Sequence, residues 1–264
     1  MSFTNKTVWI IGASSGIGKA LATDFSKLGA KLVISSRKVQ ELEKVKSECL
    51  LHTNHCSIIP FDLEKNLDYT HKVEEVIQKY QTIDYLIVNG GISQRSYIHE
   101  TPLSLDRRIM ETNYFGNISI TKAVLPYMIR QQSGHIVTVS SIVGKFGFPL
   151  RSAYAASKHA LHGFYETLGI EHKRDNIKVT IAIPGRVKTN VSFNALDKNG
   201  KKHGQMDAGQ EEGISSEECS LQMIKAIQKN KKEVLIGGKE LLMVKIKKYL
   251  PFLFYRIVSK IESK

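Results

Sequence analysis

A tyrosine and a lysine four residues apart, Tyr154 and Lys158, lie in the segment SAYAASKHAL, which otherwise has the composition of the start of a helix. Residues at i and i+4 are neighbours on a helix surface, so the phenol and the ammonium share one face. A nearby cation favours the phenolate, whereas an unperturbed tyrosine titrates near about 10. The pair could therefore be a tuned acid, although an isolated pair of this kind is more often a packed tyrosine beside a lysine that reaches solvent.

A glycine-rich turn, in IIGASSGIGKAL, follows the first apolar run of the chain. Gly12, Gly16 and Gly18 would let the backbone approach a pyrophosphate, and the amides of a helix N-terminus would face its charge. The spacing differs from the commoner G-x-G-x-x-G, and glycines also serve tight turns, so this turn alone is a weak signal. Its position between a predicted strand and a predicted helix favours a dinucleotide site.

The end of the second predicted strand indicates which dinucleotide is bound. NAD sites usually have an acid there that holds the ribose hydroxyls, but this chain has Ser36 followed by Arg37 and Lys38. A carboxylate would repel a 2′-phosphate, whereas an arginine can bind it with two hydrogen bonds. The alternative is a solvated basic loop; given the glycine turn, the sequence favours NADP(H).

The elements that must position these groups alternate along the chain. Short runs, mostly apolar on successive residues, predict buried strands at 7–12, 31–36, 56–61, 84–90, 135–141, 178–185 and 233–238. Longer patterns predict helices at 16–28, 39–51, 67–80, 105–130, 154–174 and 216–230. Such alternation predicts an α/β fold with a single doubly wound parallel sheet of about seven strands, with helices on both faces.

Composition is compatible with one globular domain and an appendage. The 264 residues are 42% hydrophobic, and 38 Lys and Arg against 25 Asp and Glu give a net charge of +13, which favours an anionic ligand or surface. Three cysteines predict a reducing compartment rather than a disulfide framework. The start of the chain lacks the pattern of a signal peptide, and no apolar run reaches the roughly 18 residues of a membrane-spanning helix.

Several motifs occur in the order found in one enzyme family. They are Gly12-x-x-x-Gly16-x-Gly18, Asp62, Asn89-Gly90-Gly91, Asn113, Ser141, Tyr154, Lys158 and Pro184-Gly185. The chain resembles the short-chain dehydrogenase/reductase family over about residues 5–238, and within it the membrane-associated branch related to 11β-hydroxysteroid dehydrogenase. The resemblance implies a Rossmann-type fold and a reaction that interconverts a ketone or aldehyde with an alcohol by hydride transfer, with NADP(H) as cofactor.

The resemblance also implies the role of each catalytic residue. Tyr154 would be the general acid for carbonyl reduction, and Lys158 would lower its pKa and hold the nicotinamide ribose. Ser141, thirteen residues before the tyrosine, would hydrogen-bond the substrate oxygen, and Asn113 would anchor a water relay to Lys158. Asp62 would contact the adenine.

A larger set of residues would hold the cofactor. Thr189 would bind the nicotinamide carboxamide. The residues implied are Gly12, Ser14, Ser15, Gly16, Ile17, Gly18, Arg37, Asp62, Leu63, Asn89, Gly90, Tyr154, Lys158, Pro184, Gly185, Val187 and Thr189. Two positions depart from the family pattern: Ile11 replaces a threonine and Gly90 an alanine, and we expect these changes to affect stability rather than chemistry.

The substrate is not readable from the sequence. Its site is expected near Ser93, Gln94, Val143, Phe146 and Phe148, together with the polar segment after Thr189, whose 194–215 portion is predicted to be a mobile substrate loop; apolar ketones would fit. A cofactor-binding scaffold or sensor without turnover is the alternative function. It is disfavoured because a pure binder has no need of a tuned acid. A sugar-nucleotide epimerase or dehydratase would need a longer C-terminal substrate domain.

Metal and nucleic-acid sites are not predicted. Cys49, His52, His55 and Cys56 invite comparison with a zinc site, but their spacing places them on a helix end, a loop and a strand, and buried cysteines are often structural. His159 and His162 are one helical turn apart without further ligands in the sequence. The basic run at 200–204 has no interleaved aromatic residues, so nucleic-acid binding is not expected.

The last predicted unit is a basic amphipathic tail at 239–264, following a catalytic domain at 1–238. Leu242, Ile246, Tyr249, Leu250, Leu253 and Ile257 share one side at helical spacing. Pro251 is expected to divide the tail into two short helices. The tail could lie in a membrane interface, which would make the protein a cytoplasmic peripheral enzyme, or it could pack over the substrate pocket or a partner subunit. The resemblance also implies a homodimer or homotetramer.

Overall fold

Seven strands form the centre of the protein in a computed structural model that describes residues 2–65 and 68–261. They are β1 Thr7–Ile11, β2 Lys31–Ser35, β3 Cys56–Ile58, β4 Tyr85–Val88, β5 Gly134–Val139, β6 Ile177–Pro184 and β7 Glu233–Ile236. Each falls within, or within one residue of, a predicted strand. The strands are apolar on successive residues because helices cover both faces of the sheet.

All seven strands are parallel, and their order in the sheet is β3-β2-β1-β4-β5-β6-β7. The chain first builds outward from β1 to β3 and then crosses back to place β4 on the other side of β1. At this switch point the loops after β1 and β4 diverge and open a crevice at the carboxyl ends of the strands. The predicted doubly wound, Rossmann-type sheet is confirmed.

Helices connect the strands and enclose the core. They are α1 Gly16–Lys27, α2 Val39–Cys49, α3 Thr70–Tyr80, α4 Leu103–Met110, α5 Gly116–Gln131, α6 Ser152–Glu171, α7 Ala208–Glu211, α8 Ser216–Gln228, α9 Leu242–Tyr249 and α10 Pro251–Val258. The predicted start of α3 at Leu67 lies outside the described residues. None of the described helices is both long and apolar enough to cross a membrane.

The sheet separates two apolar layers. The layer under α1, α2 and α8 includes Phe25, Leu42 and Met223, and the layer under α3, α5 and α6 includes Val73 and Tyr165; all five side chains are buried. Burial of this apolar surface is the main stabilising contribution to the fold, and it fixes the carboxyl ends of the strands as one rigid edge.

The long helix predicted at 105–130 is interrupted. Helix α4 ends at Met110, a π-helical turn covers Glu111–Phe115, and α5 begins at Gly116. The widened turn contains Asn113, whose side chain bonds backbone outside the helix. Such turns are frequent at functional sites because the extra residue redirects a side chain.

The tail forms two short helices, as predicted, with Pro251 at the first position of α10, where its missing N–H has no helical partner to lose. Phe254 is buried, with its ring centroid 5.0 Å from that of Phe146, so one face of the tail packs on the protein. Tyr249 and Phe252 are exposed on the other face. The packed residue Phe254 lies outside the predicted apolar stripe, whose members are exposed or half-buried.

Candidate active site

The turn after β1 has the geometry of a phosphate-binding loop. Gly12 and Gly16 have φ of 80° and 55°, a region that other residues rarely adopt. A Cβ on Gly18 would collide with the carbonyl oxygen of Gly12, so this glycine packs the start of α1 against the turn and does not itself line the cleft. The backbone of Gly12, Ser14, Ser15, Gly16 and Ile17 is thereby left open to a ligand.

Asn89 and Gly90, after β4, brace this turn. The Asn89 side-chain amide donates to Gly12 O at 3.2 Å, and Gly90 O accepts from the Asn117 amide at 3.0 Å. A Cβ on Gly90 would overlap the Leu63 side chain, which explains the departure from the usual alanine. The contact between the turn and β4 is present despite that departure.

Arg37 lies where β2 ends, with 47% of its side chain exposed. Its Nη1 is 3.6 Å from Asp62 Oδ2 and 3.8 Å from Glu64 Oε2. Exposed ion pairs of this length contribute about 0–1 kcal/mol, so the guanidinium can turn to another anion at little cost. Lys38 also lines this end of the cleft.

The opposite wall follows β6. Thr189 is close to the glycine turn: a Cβ built on Gly16 would lie 3.0 Å from Thr189 Cγ2. Pro184, Gly185 and Val187 line the cleft. The Glu240 carboxylate, at the start of the tail, accepts from Arg186 N at 2.9 Å and Gly238 N at 3.0 Å, and so fastens the tail to this wall.

Tyr154, Lys158 and Ser141 converge between these walls. Helix α6 carries Tyr154 and Lys158 one turn apart, and Ser141 follows β5 on the loop facing them. Lys158 Nζ donates to Val139 O at 2.8 Å and lies 5.7 Å from the centre of the Tyr154 ring. Burial lowers the pKa of Lys158 to about 8.

The phenol of Tyr154 is subject to opposing influences. Burial raises its pKa, while a hydrogen bond with Ser141 and the positive charges of Arg95 and Arg151 act to lower it; the net direction is upward. The resemblance assigned the lowering of this pKa to Lys158, whose Nζ lies 5.7 Å from the ring centre, and the structure adds Arg95 and Arg151 as two further cations that act on the phenol. Lys158 also donates a hydrogen bond to the backbone of β5.

Asn113 is fully buried, and its side chain holds the loop after β4. Its Nδ2 donates to Ile92 O at 2.9 Å and to Ser157 Oγ at 3.0 Å, and its Oδ1 accepts from Ile92 N at 2.8 Å. A Cβ on Gly91 would lie 3.0 Å from Asn113 Oδ1 and 3.6 Å from Lys158 Nζ, so both side chains approach the same small residue. Asn113 therefore lies behind the cleft, near Lys158, rather than lining it.

An ion-pair cluster that the sequence did not reveal lies beside the tyrosine. Asp207 accepts from Arg95 Nε at 3.1 Å and Nη2 at 2.6 Å, and from Arg151 Nη2 at 2.5 Å. Arg95 follows β4, Arg151 precedes α6, and Asp207 precedes α7 in the polar segment after Thr189. Because the three residues are far apart in sequence, their pairing had no local signal.

The substrate side of the cleft is only partly as predicted. Ser93, Val143, Phe146 and Phe148 line it. Gln94 itself does not line it, although Ser93 and Arg95 on either side do. The Gln94 side chain is fully buried, and its Oε1 accepts from Ala153 N at 3.0 Å, which ties the β4 loop to the start of α6. The whole cleft, cofactor and substrate sides together, has a volume of about 1680 Å³. Lining residues that were not predicted include Arg95, Pro149, Leu150 and Arg151. Met206 and Asp207 belong to the predicted segment after Thr189, and Met243, Ile257 and Ile261 to the tail, for which packing over the pocket was one alternative.

The cysteine and histidine segment at 49–56 does not gather its four candidate ligands. Cys49 and Cys56 are buried and free, whereas His52 and His55 are exposed. Over residues 2–65 and 68–261, one group of three or more possible metal ligands comes together, and it is His162 with Glu166 and Glu233. Glu166 and Glu233 are thus the further possible ligands beside His162 that the sequence did not reveal.

The cleft suits a nicotinamide dinucleotide. The glycine turn forms a backbone cradle that side chains would fill, Arg37 and Lys38 stand at one end, and Tyr154 and Lys158 stand at the other. A ligand spanning both ends would place its phosphates at the α1 N-terminus. The residues present therefore fit such a cofactor.

Comparisons with known proteins agree with this geometry. The profile of the family described as short chain dehydrogenase matches residues 6–200. The chain is 43% identical over 237 residues to dehydrogenase/reductase SDR family protein 7-like of Anopheles gambiae, covering 88% of this chain and 75% of the relative. It is 39% identical to dehydrogenase/reductase SDR family member 7B of Mus musculus, covering 97% and 80%.

Solved structures share the fold at lower identity. A short chain dehydrogenase/reductase from Burkholderia phymatum in complex with NAD superimposes with a TM-score of 0.84 at 19% identity, covering 96% of each chain. An alcohol dehydrogenase from Thermococcus sibiricus complexed with 5-hydroxy-NADP gives a TM-score of 0.75 at 22% identity, covering 89% of this chain and 97% of the other.

Proposed function

We propose, from the premise that this chain belongs to the short-chain dehydrogenase/reductase family, that it is an NADP(H)-dependent oxidoreductase interconverting a ketone or aldehyde with an alcohol. The observation that carries the proposal is the convergence of Ser141, Tyr154 and Lys158 in a cleft continuous with the glycine turn. A scaffold that only binds the cofactor is the alternative, and it gives no reason for a phenol held among a serine and two arginines.

The chain's own groups would handle the proton and the substrate oxygen. When bound, the cofactor would supply the hydride for reduction or accept it in the reverse direction. Ser141 would hold the carbonyl oxygen, and the Tyr154 hydroxyl would donate a proton to it. Positive charge from Arg95 and Arg151 would stabilise the phenolate left behind. Lys158 would hold the nicotinamide ribose, with Asn113 supporting it from behind.

NADP(H) is preferred to NAD(H) in this proposal because of the end of β2. Arg37 and Lys38 offer two cations to a 2′-phosphate. Asp62 and Glu64 lie near Arg37 and reduce the net charge there, but Arg108 pairs with Glu64 at 2.9 Å and offsets one of them. The balance of these five side chains remains positive.

The test is Tyr154→Phe, which removes the hydroxyl and keeps the ring. We expect turnover of a ketone panel with NADPH to fall by at least about 100-fold, the lower range for a lost general acid, while NADPH binding is unchanged. A matched control, Tyr97→Phe, changes a half-exposed tyrosine outside the cleft and should leave both unchanged. Normal turnover by Tyr154→Phe would refute the mechanism, and a wild-type protein that binds NADPH without any turnover would favour the scaffold.

The tail at 239–264 is proposed to contact a membrane from the cytoplasmic side. Tyr249, Leu250 and Phe252 are exposed apolar side chains, and the exposed cations Lys248 and Arg256 lie on the same two helices. Exposed apolar surface beside basic residues suits a bilayer interface containing anionic lipid. This placement would give the cleft access to apolar substrates dissolved in lipid, since Met243 of the tail also lines the cleft.

A further inference from the structure

His162 has a buried ring nitrogen without a hydrogen-bond partner. Its side chain is nine-tenths buried, one helical turn beyond Lys158 on α6, and Nδ1 is the unpaired atom. Its other nitrogen, Nε2, lies 3.0 Å from Ser140 Oγ. An unpaired nitrogen at such a position is unfavourable unless something satisfies it.

The hydrogen bonds of Ser140 favour one position for the proton on the His162 ring. The Ser140 hydroxyl donates to Lys158 O at 3.2 Å, and a hydroxyl has one hydrogen. With the Ser140 hydroxyl donating to Lys158 O, Ser140 Oγ accepts from His162 Nε2–H, which leaves a lone pair on Nδ1. Burial lowers the pKa of His162 to about 4, in keeping with a neutral ring.

Two carboxylates face this lone pair. Glu233 Oε2, at the start of β7, is 3.9 Å from His162 Nδ1, and Glu166 is one turn along α6 from His162. One ligand atom from each of the three side chains lies within 4.8 Å of the others. In this tautomer all three atoms are acceptors, so they cannot satisfy one another, whereas a cation between them can satisfy all three.

Lys145 is the cation already present, and it serves only part of the group. Its Nζ is 2.6 Å from Glu233 Oε2 but makes no hydrogen bond to His162. Glu166 is exposed and has no ion pair within the described residues. Among the described residues, the Lys145 ammonium therefore leaves the Nδ1 lone pair of His162 and the Glu166 carboxylate without a cation.

We propose that His162 Nδ1, Glu166 and Glu233 bind a zinc ion. One imidazole and two carboxylates form a ligand set found in zinc sites, with bonds of about 2.0–2.2 Å and a fourth position for water. Tetrahedral bonds of that length place ligand atoms about 3.3 Å apart, so these atoms must approach by up to about 1.5 Å, which rotation of the two exposed glutamates can supply. Lys145 Nζ contacts Oε2, the Glu233 oxygen nearest His162, and would move to Oε1 when zinc takes Oε2.

The hydrogen bond from Nε2 to Ser140 provides the support that metal-bound histidines usually have. Ser140 also bonds the backbone of Lys158 and precedes Ser141 in the chain. A bound zinc would therefore join α6 to β7 and brace the loop that carries Ser141. None of its three ligands lines the cofactor cleft, so the site does not depend on the proposed reaction.

Zinc titration of the tag-free, cofactor-free wild-type protein by calorimetry tests the proposal. We expect one zinc per chain with a Kd below about 10 µM. Glu166→Gln and Glu233→Gln should each weaken binding by at least about tenfold, because each removes one ligand charge. His159→Gln and Glu171→Gln, on the same helix, should not, and Lys145→Met should tighten binding because it removes the competing ammonium. Circular dichroism checks that each variant is folded.

A second measurement keeps the result unambiguous. Thermal unfolding should shift upward with zinc in the wild-type protein and not in the two Glu→Gln variants, since zinc would stabilise only the folded site. Absence of zinc binding, or binding that both Glu→Gln variants retain, would overturn the proposal. A cobalt-substituted protein with a thiolate charge-transfer band would also overturn it, because the metal would then be on the cysteines at 49 and 56.

Discussion

Replacing Asp207 by asparagine tests whether one carboxylate holds the substrate segment over the active site. The Arg95 side chain is only 4% exposed, and Asp207 makes three charge-assisted hydrogen bonds, two of them to Arg95 and one to Arg151. The substitution keeps the shape and one acceptor oxygen but leaves the buried Arg95 and the half-buried Arg151 without a counter-charge. Burial and repulsion from Arg95 already lower the pKa of Arg151 to about 10.

The expected loss of stability follows from these contacts. Removing one partner of a buried ion pair costs about 3–5 kcal/mol. Asp207 is one-quarter exposed and asparagine retains an acceptor, so we expect about 2 kcal/mol. With a urea dependence of about 2.5 kcal/mol per molar, the unfolding midpoint should fall by roughly 0.8 M. Glu212→Gln, an exposed change in the same segment, should leave the midpoint unchanged.

The pH dependence gives an independent check. Although burial acts to raise it, the two arginines hold the pKa of Asp207 below its ordinary value of 3.8. A depressed carboxyl pKa contributes stability that is present above about pH 4 and is lost as the pH falls through the folded value. The difference between wild type and Asp207→Asn should therefore be constant from pH 7 to 5 and shrink below pH 4.

A double-mutant cycle and proteolysis complete the assay. Arg95→Gln combined with Asp207→Asn should be less destabilising than the sum of the single changes, with a coupling energy of about 1.5 kcal/mol. Trypsin should cleave the lysine-rich run at 198–202 faster in Asp207→Asn than in wild type. An unchanged urea midpoint together with zero coupling would refute the idea that the ion pairs of Asp207 with Arg95 and Arg151 hold the polar segment after Thr189 in place.

Three further outcomes follow from other contacts. Arg37→Ala should weaken NADPH binding about tenfold and leave NADH binding unchanged, by isothermal titration, because the half-exposed guanidinium contributes about 1.4 kcal/mol only to the phosphorylated form; equal affinities of the wild type for both cofactors would contradict this. Gly90→Ala, although it restores the common family residue, should destabilise the protein by about 1–2 kcal/mol in urea because its Cβ overlaps Leu63, and Leu63→Ala in the same chain should recover part of the loss. Phe252→Ser should reduce co-sedimentation with vesicles containing anionic lipid, whereas Leu51→Ser, at an equally exposed leucine away from the tail, should not; wild-type protein that stays in the supernatant at low salt would exclude the membrane contact.

Assembly is tested by light scattering at micromolar concentration. The family resemblance predicts a homodimer or homotetramer formed through the helices that carry Asn113 and Tyr154. A mass near that of the 29.7 kDa monomer would contradict it.

The sequence by itself determined the elements whose cause is local. Seven apolar runs became seven parallel strands, because a strand covered on both faces must be apolar on successive residues. The glycine turn and the Tyr154–Lys158 spacing could be recognised in the sequence because each lies within one turn or one helix. The break before Pro251 was equally local, because proline cannot donate the hydrogen bond that a continuing helix needs.

Only the tertiary structure decided which distant side chains meet. Arg95 and Asp207 are 112 residues apart, and Gln94 turns inward to Ala153, 59 residues away, instead of lining the cleft; neither pairing has a sequence period. The charges acting on Tyr154 likewise come from loops that the fold brings together, since electrostatic influence depends on distance in space. The same holds for His162 and Glu233, which approach each other because α6 packs beside β7. It also holds for the π-helical turn at Asn113, whose side chain hydrogen-bonds the loop after β4.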